Sequence, residues 1–311
     1  MTTETDAGQD KKPLNIFIGS KGLRAGWGIA LFLAPIFALR FGLAFAVHAG
    51  YIHMPAGGNG GGGGGGMTPM TMAMGEGFAA VVLVVWTLIV AMIERRPLAQ
   101  LGLGMTNALP RFVQGLVVGF LMLSGLIGAL YLSHAFVFDK IALHGADIWK
   151  FGAEWGLVFL LVGITEEFAF RVYLQQTLAR GLNFRIAAVV MGGLFILAHT
   201  ANGGETPIGL GLVFAAALLF AVSIWRTGTI WWAIGFHASW DWAQSYFYGT
   251  ADSGLPATGA LMATHPMGAT WLSGGTTGPE GSVLAIAATL LGAVIIWVMA
   301  PKQDVKLDVR W

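Results

Sequence analysis

Long apolar stretches dominate this 311-residue chain, near 26–47, 77–93, 112–132, 152–179, 185–201, 206–225, 229–248 and 281–300. Each is close to the ~20 residues that a helix needs to cross the hydrocarbon core of a bilayer. Only 11% of the residues are charged and 56% are hydrophobic. Soluble domains average about 25% charged. Mean hydropathy is +0.70. The expected fold class is therefore all-α: a polytopic membrane helix bundle of about eight transmembrane helices. The fourth stretch is too long for the hydrocarbon alone and is expected to protrude.

Charge orients the bundle. Lys11, Lys12, Lys21 and Arg24 precede the first stretch, and Arg95, Arg96 and Arg111 lie between the second and third. Arg180 and Arg185 separate the fourth and fifth, Arg226 the sixth and seventh, and Lys302, Lys306 and Arg310 follow the eighth. If all eight cross, these residues fall on one side. The opposite loops are nearly free of Arg, and Lys140 and Lys150 are offset by Asp139 and Asp147. The positive-inside rule then puts both termini in the cytoplasm. The division is a polar tail over 1–24, one transmembrane domain over 25–300 and a tail over 301–311. The polar N-terminal tail lacks a cleavable-signal pattern, so the first stretch is expected to stay in the membrane. The Gly-rich run at 57–66 has no Lys-Ser/Thr end, which argues against a phosphate loop and for a floppy outer linker. Cysteine is absent, which removes disulfides, thiolate metal sites and cysteine nucleophiles. No basic face suggests nucleic acid. Membrane lipids are the expected surroundings.

Ionisable residues inside spans are costly and usually functional. Those within the stretches are Arg40, Glu166, Glu167, Arg171, His199, His237 and Asp241, with Glu154 nearer an interface. Arg40 either snorkels outward or pairs with an acid, and snorkelling is the simpler expectation. Glu167 and Arg171 are one helical turn apart and share a face, so an ion pair is expected. Glu166 lies about 100° round the helix and is left free. His237 and Asp241, and Phe195 and His199, are also one turn apart. Depth gathers the set. Glu166 precedes Arg180, and His199 follows Arg185, by the same number of residues, which puts both about 21 Å from the cytoplasmic ends. His237 lies about 16 Å past Arg226 on the same rise. A carboxylate and two imidazoles from three helices thus meet near one layer, which suits a site that activates water. Each group alone reads more simply as structural: a hydrogen-bonding histidine or a buried ion pair.

These residues resemble the CPBP family, the CAAX-protease and bacteriocin-processing enzymes also called Abi or type II CAAX prenyl endopeptidases. Its three motifs read here as "EEFAFR" (Glu166, Glu167, Arg171), "FILAH" (Phe195, His199) and "HASWD" (His237, Asp241), in family order. The likeness covers roughly 150–245, with a protease core near 150–248. The segment "WLSGGTTGPEGS" also looks like an outer loop of bacterial members. The resemblance implies an intramembrane endopeptidase in which Glu166 and His199 activate water and His237 with position 241 stabilises the oxyanion. It implies that Glu167, Arg171 and Phe195 support the site. Where many members carry Asn, this chain has Asp241. An amide donates to an oxyanion, whereas an ionised carboxylate cannot. Asp241 either carries a proton or accepts from His237.

The expected activity is hydrolysis of a peptide bond in a protein or lipidated peptide, with a peptide or membrane protein as substrate. The expected mechanism is glutamate-type with no cofactor. Zinc is the alternative, and its ligands would be Glu166, His199 and His237. The rival functions are a transporter or proton relay using the same acids, and a non-catalytic immunity or scaffold protein on this fold. The expected location is a bacterial inner membrane.

Overall fold

The computed structural model describes residues 16–19, 22–52, 68–300, 303–307 and 309. The Gly-rich run at 57–66, most of the N-terminal tail and part of the C-terminal tail lie outside the described residues. A two-strand turn, β1 (Ile18–Gly19) and β2 (Gly22–Leu23), leads into α1 (Ala25–His48). There follow α2 (Pro69–Ile93), α3 (Ala108–Leu132), β3 (Phe136–Ile141) and α4 (Ala146–Glu167). A π-helical segment, Phe168–Gln175, continues α4 into α5 (Gln176–Gly181). Then come α6 (Phe184–His199), α7 (Pro207–Thr227) and α8 (Trp231–Trp242), which also ends in a π-helical turn, Ala243–Phe247. β4 (Met262–Pro266), α9 (Thr270–Ser273) and α10 (Val283–Met299) complete the chain.

A helix stands on each of the eight apolar stretches. Four of them, α1, α2, α3 and α7, are long and apolar enough to cross a membrane. Helices α6 and α10 are apolar but shorter. One boundary differs from expectation in a way that matters. Helix α2 begins at Pro69, well before residue 77, because Thr68 caps it: the Thr68 hydroxyl accepts from the Thr71 amide, and proline suits the first helical position. This early start carries Glu76 into the helix. The structure also departs from an all-α description. β3 and β4 pair antiparallel, Phe136 opposite Pro266 and Ile141 opposite Met262, with an irregularity between Phe138 and Lys140.

Helix α8 is the centre of the bundle and packs most closely against α3 and α4. Glycine makes this possible. A Cβ on Gly115 would collide with the Trp232 carbonyl, and one on Gly235 with the Phe112 carbonyl, so α3 and α8 touch backbone to backbone. Small residues serve helix contacts in this way where lipid removes the hydrophobic drive between helices. Trp232 and Phe236 of α8 join Leu123, Ile127 and Leu219 in one buried cluster. A second cluster gathers Phe32, Tyr173, Phe184 and Ile224 around the π-helical segment.

Arg96 and Arg111, between the second and third stretches, are anchored. Arg96 donates from Nη1 to Thr177 Oγ1 at 2.8 Å, and Tyr173 donates to Glu94 Oε1 at 2.7 Å. Arg111 grips Asp304 with two nitrogens, Nε to Oδ2 at 2.6 Å and Nη2 to Oδ1 at 3.1 Å, and Asn107 adds a third bond at 3.0 Å. Burial alone would raise the Asp304 pKa, but the bonds from Arg111 and Asn107 outweigh it and hold the carboxyl below its usual range. A depressed acid stabilises the folded form above its unfolded pKa, and that stability is lost as pH falls through the folded value. The C-terminal segment is therefore expected to stay docked at neutral pH and to loosen below about pH 4. Hydrogen exchange at the Asp304 and Val305 amides, which bond the Thr227 carbonyl, reads this directly. Exchange that is equally slow at pH 3 and pH 7, after correction for intrinsic rates, would contradict it.

Candidate active site

Glu166 and Glu167 end α4, and the chain then widens into the π-helical segment that carries Arg171. Single-turn π distortions concentrate at functional sites because they re-aim side chains without ending the helix. Helix α8 does the same just after Asp241 and Trp242.

The two adjacent acids separate as helix phase requires. Glu167 is fully buried and lies 3.4 Å from Arg171 Nη1, which is equally enclosed. The Arg171 guanidinium sits 4.1 Å from the centre of the Phe195 ring, so an aromatic face supports the buried cation. Glu166 turns instead toward α8: its Oε2 is 3.5 Å from His237 Nε2. His237 faces three carboxylates. Nδ1 is 3.4 Å from Glu167 Oε1, and Nε2 is 3.5 Å from both Glu166 Oε2 and Asp241 Oδ2. Its ring stacks on Phe220 at 5.2 Å between centres.

His199 reaches the same space from α6. Its Nδ1 is 2.9 Å from the Phe195 carbonyl. A carbonyl only accepts, so Nδ1 carries the hydrogen there and a neutral ring keeps its lone pair on Nε2. Phe195 holds this ring at 4.5 Å between centres and also meets Phe170 edge-on. Glu166, His199, His237 and Asp241 all line one cavity of about 250 Å³, walled by Phe159, Val162, Phe195 and Phe220. Glu167 and Arg171 lie behind it. Arg40 is exposed on α1 and takes no part.

The cavity also holds residues that the sequence reading passed over. Glu76 of α2 lines it, and Thr165, next to Glu166, donates its hydroxyl to the Glu76 carbonyl at 3.3 Å. Asp252, Ser253 and Glu280 line it from the segments between α8 and α10. Glu76 lay one residue outside the apolar stretch. Glu280 lay within the "GPEGS" segment, which was noticed without a role. As for zinc, one donor atom each from Glu166, His199 and His237 does not gather within 4.8 Å of the others, although Asp241, Asp252 and Glu280 do gather so among the described residues. The Glu-His-His set therefore does not fit a tetrahedral zinc in this arrangement.

Apolar helices around a half-open cavity lined by carboxylates and imidazoles point to an integral membrane protein. Residues 148–243 match the family model described as type II CAAX prenyl endopeptidase Rce1-like, a protease family. The match runs from the start of α4 to the end of α8 and so contains the whole Glu166–His199–His237–Asp241 set. It does not extend to α1–α3 or α10. No curated protein and no solved structure matches the chain. The match points to protease activity of the CAAX prenyl protease kind, and together with the apolar helices to an integral membrane protein.

Proposed function

We propose that this protein is an intramembrane endopeptidase that hydrolyses a peptide bond in a protein or lipidated peptide, with water activated by Glu166 and His199. The observation that supports this best is the single cavity lined by Glu166, His199 and His237 from three helices. In the proposed reaction the Glu166 carboxylate takes a proton from water while His199 Nε2 accepts a second hydrogen bond and aligns it. Attack on the carbonyl carbon builds negative charge on oxygen, and His237, protonated on both ring nitrogens, donates to it from Nε2. Glu167 at Nδ1 fixes the ring so that Nε2 faces the cavity. The proton held by Glu166 then passes to the leaving amine. Glu167 and Arg171 hold the scaffold. No cofactor is required by this scheme.

On this reading all eight helical rods cross a bacterial inner membrane, with the Arg96, Arg111 and Arg226 end in the cytoplasm. Comparison of protein termini in membranes containing the intact protein or its Glu166→Ala variant tests the function. The expected result is at least one new terminus present only with the intact protein. Identical terminus profiles under conditions where the variant is equally abundant would refute it. A proton relay would instead give pH-gradient-driven flux in liposomes, with no such terminus.

A further inference from the structure

Asp241, Asp252 and Glu280 come from three separate places: helix α8, the loop after it, and the Pro279–Gly281 turn before α10. One oxygen from each lies within 4.8 Å of the other two. Two of the three are held by hydrogen bonds. Glu280 accepts from Trp240 Nε1 at 3.1 Å and from the Ser253 amide and hydroxyl at 3.0 and 3.1 Å. Asp252 accepts from the Ser245 hydroxyl at 3.2 Å. Asp241 is different. It is 6% exposed, faces the cavity and receives no hydrogen bond among the described residues; its one ionic approach is His237 Nε2 at 3.5 Å.

This arrangement is incomplete by itself. Three ionised carboxylates this close, Asp241 buried and the other two half-buried, repel one another unless a positive charge stands between them. Among the described residues no Lys or Arg lines the cavity. Nearby, both carboxylate oxygens of Glu205 are also buried without a hydrogen-bond partner. Oxygens separated by no more than 4.8 Å lie within about 2.8 Å of a common centre. Calcium takes oxygen ligands at about 2.3–2.6 Å in flexible geometry, whereas magnesium demands a tighter octahedron at about 2.0–2.1 Å.

We propose that Asp241, Asp252 and Glu280 form a binding site for a hard divalent cation, calcium by size. The ion completes the coordination of Asp241 and ties α8 to the loop and turn that close the cavity. One consequence rests on the proposed peptidase reading: a cation at Asp241 cancels a negative charge beside the oxyanion position, which an ionised aspartate would otherwise oppose.

Terbium is a calcium stand-in whose luminescence is excited through a nearby indole, and Trp240 is bonded to Glu280. The full-length protein in detergent micelles, titrated with terbium, is expected to give a saturable signal that calcium displaces and magnesium displaces poorly. The signal is expected to fall about tenfold or more in Asp252→Asn and in Glu280→Gln proteins that elute and melt as folded species. Calcium is also expected to raise the melting temperature of the unaltered protein. A calcium-displaceable signal undiminished in both variants, or no such signal in the unaltered protein, overturns the proposal. If the variants do not fold, a melting temperature of the unaltered protein indifferent to calcium overturns it equally. Glu166→Gln protein is expected to bind terbium normally. Loss of the peptidase reading would therefore leave this site standing, and loss of this site would leave the Glu166 result unchanged.

Discussion

Glu166→Gln protein is expected to fold, reach the membrane and hydrolyse its substrate about 10²–10⁴-fold more slowly than the unaltered protein. This is the range for removing a positioned general base. Glutamine fills the same space and its amide cannot take a proton from water. The geometry makes the loss specific. Glu166 does not pair with Arg171, its closest charged neighbour is His237 at 3.5 Å, and its side chain is 26% exposed, toward the cavity. The matching control is Glu167→Gln. That acid is fully buried, so its removal is expected to act on stability and on the orientation of His237. The decisive measurement is single-turnover cleavage in proteoliposomes with both variants at equal folded concentration. A Glu166→Gln rate within a factor of about three of the unaltered rate would remove Glu166 from the chemistry.

The contrast between these neighbouring acids shows what a sequence can reveal about such a site. Residues one turn apart on one helix share a face whatever surrounds them, so the Glu167–Arg171 pair and the exclusion of Glu166 from it follow from periodicity. The observed 3.4 Å contact agrees. The meeting of α4, α6 and α8 was foreseen from depth, since helices that cross one layer keep their residues in register with its edges. The rest of the cavity obeys no such rule. Glu76 enters because a Thr68–Pro69 cap starts α2 in a run where methionines alternate with small or polar residues, which a search for continuous apolar stretches passes over. Asp252 and Glu280 enter because the chain after α8 folds back over the cavity, and no local pattern announces that return. The β3–β4 pairing is equally long-range. "FVFDKI" has a strand's alternation at its start, but its partner lies beyond five further helices. Helix-local geometry is legible in the sequence; the loops that finish the cavity are not.

Arg171 carries the other large effect, on stability rather than rate. Arg171→Met protein keeps a side chain of similar length but strands the Glu167 carboxylate in an interior where both partners are about 99% enclosed or more. Removing one member of a buried pair costs about 3–5 kcal/mol, mostly the charge left behind rather than the lost attraction. The face-on contact with Phe195 adds to the loss. Two features decide how this appears. His237 Nδ1 also lies 3.4 Å from Glu167, so the stranded carboxylate has one cationic group left to lean on. Leaning there draws the imidazole toward Glu167 and away from Glu166 and Asp241, so hydrolysis in the surviving folded fraction should fall as well. The double variant Arg171→Met/Glu167→Gln removes both charges and should recover part of the lost stability, because no ion is then buried alone. Denaturant titration in mixed micelles of the single variants and the double variant gives the coupling directly. A double variant as unstable as the sum of its parts would mean that the two residues do not act as a pair. Recovery of stability without recovery of rate is the expected pattern, since the double variant still leaves His237 with no carboxylate to hold its Nδ1.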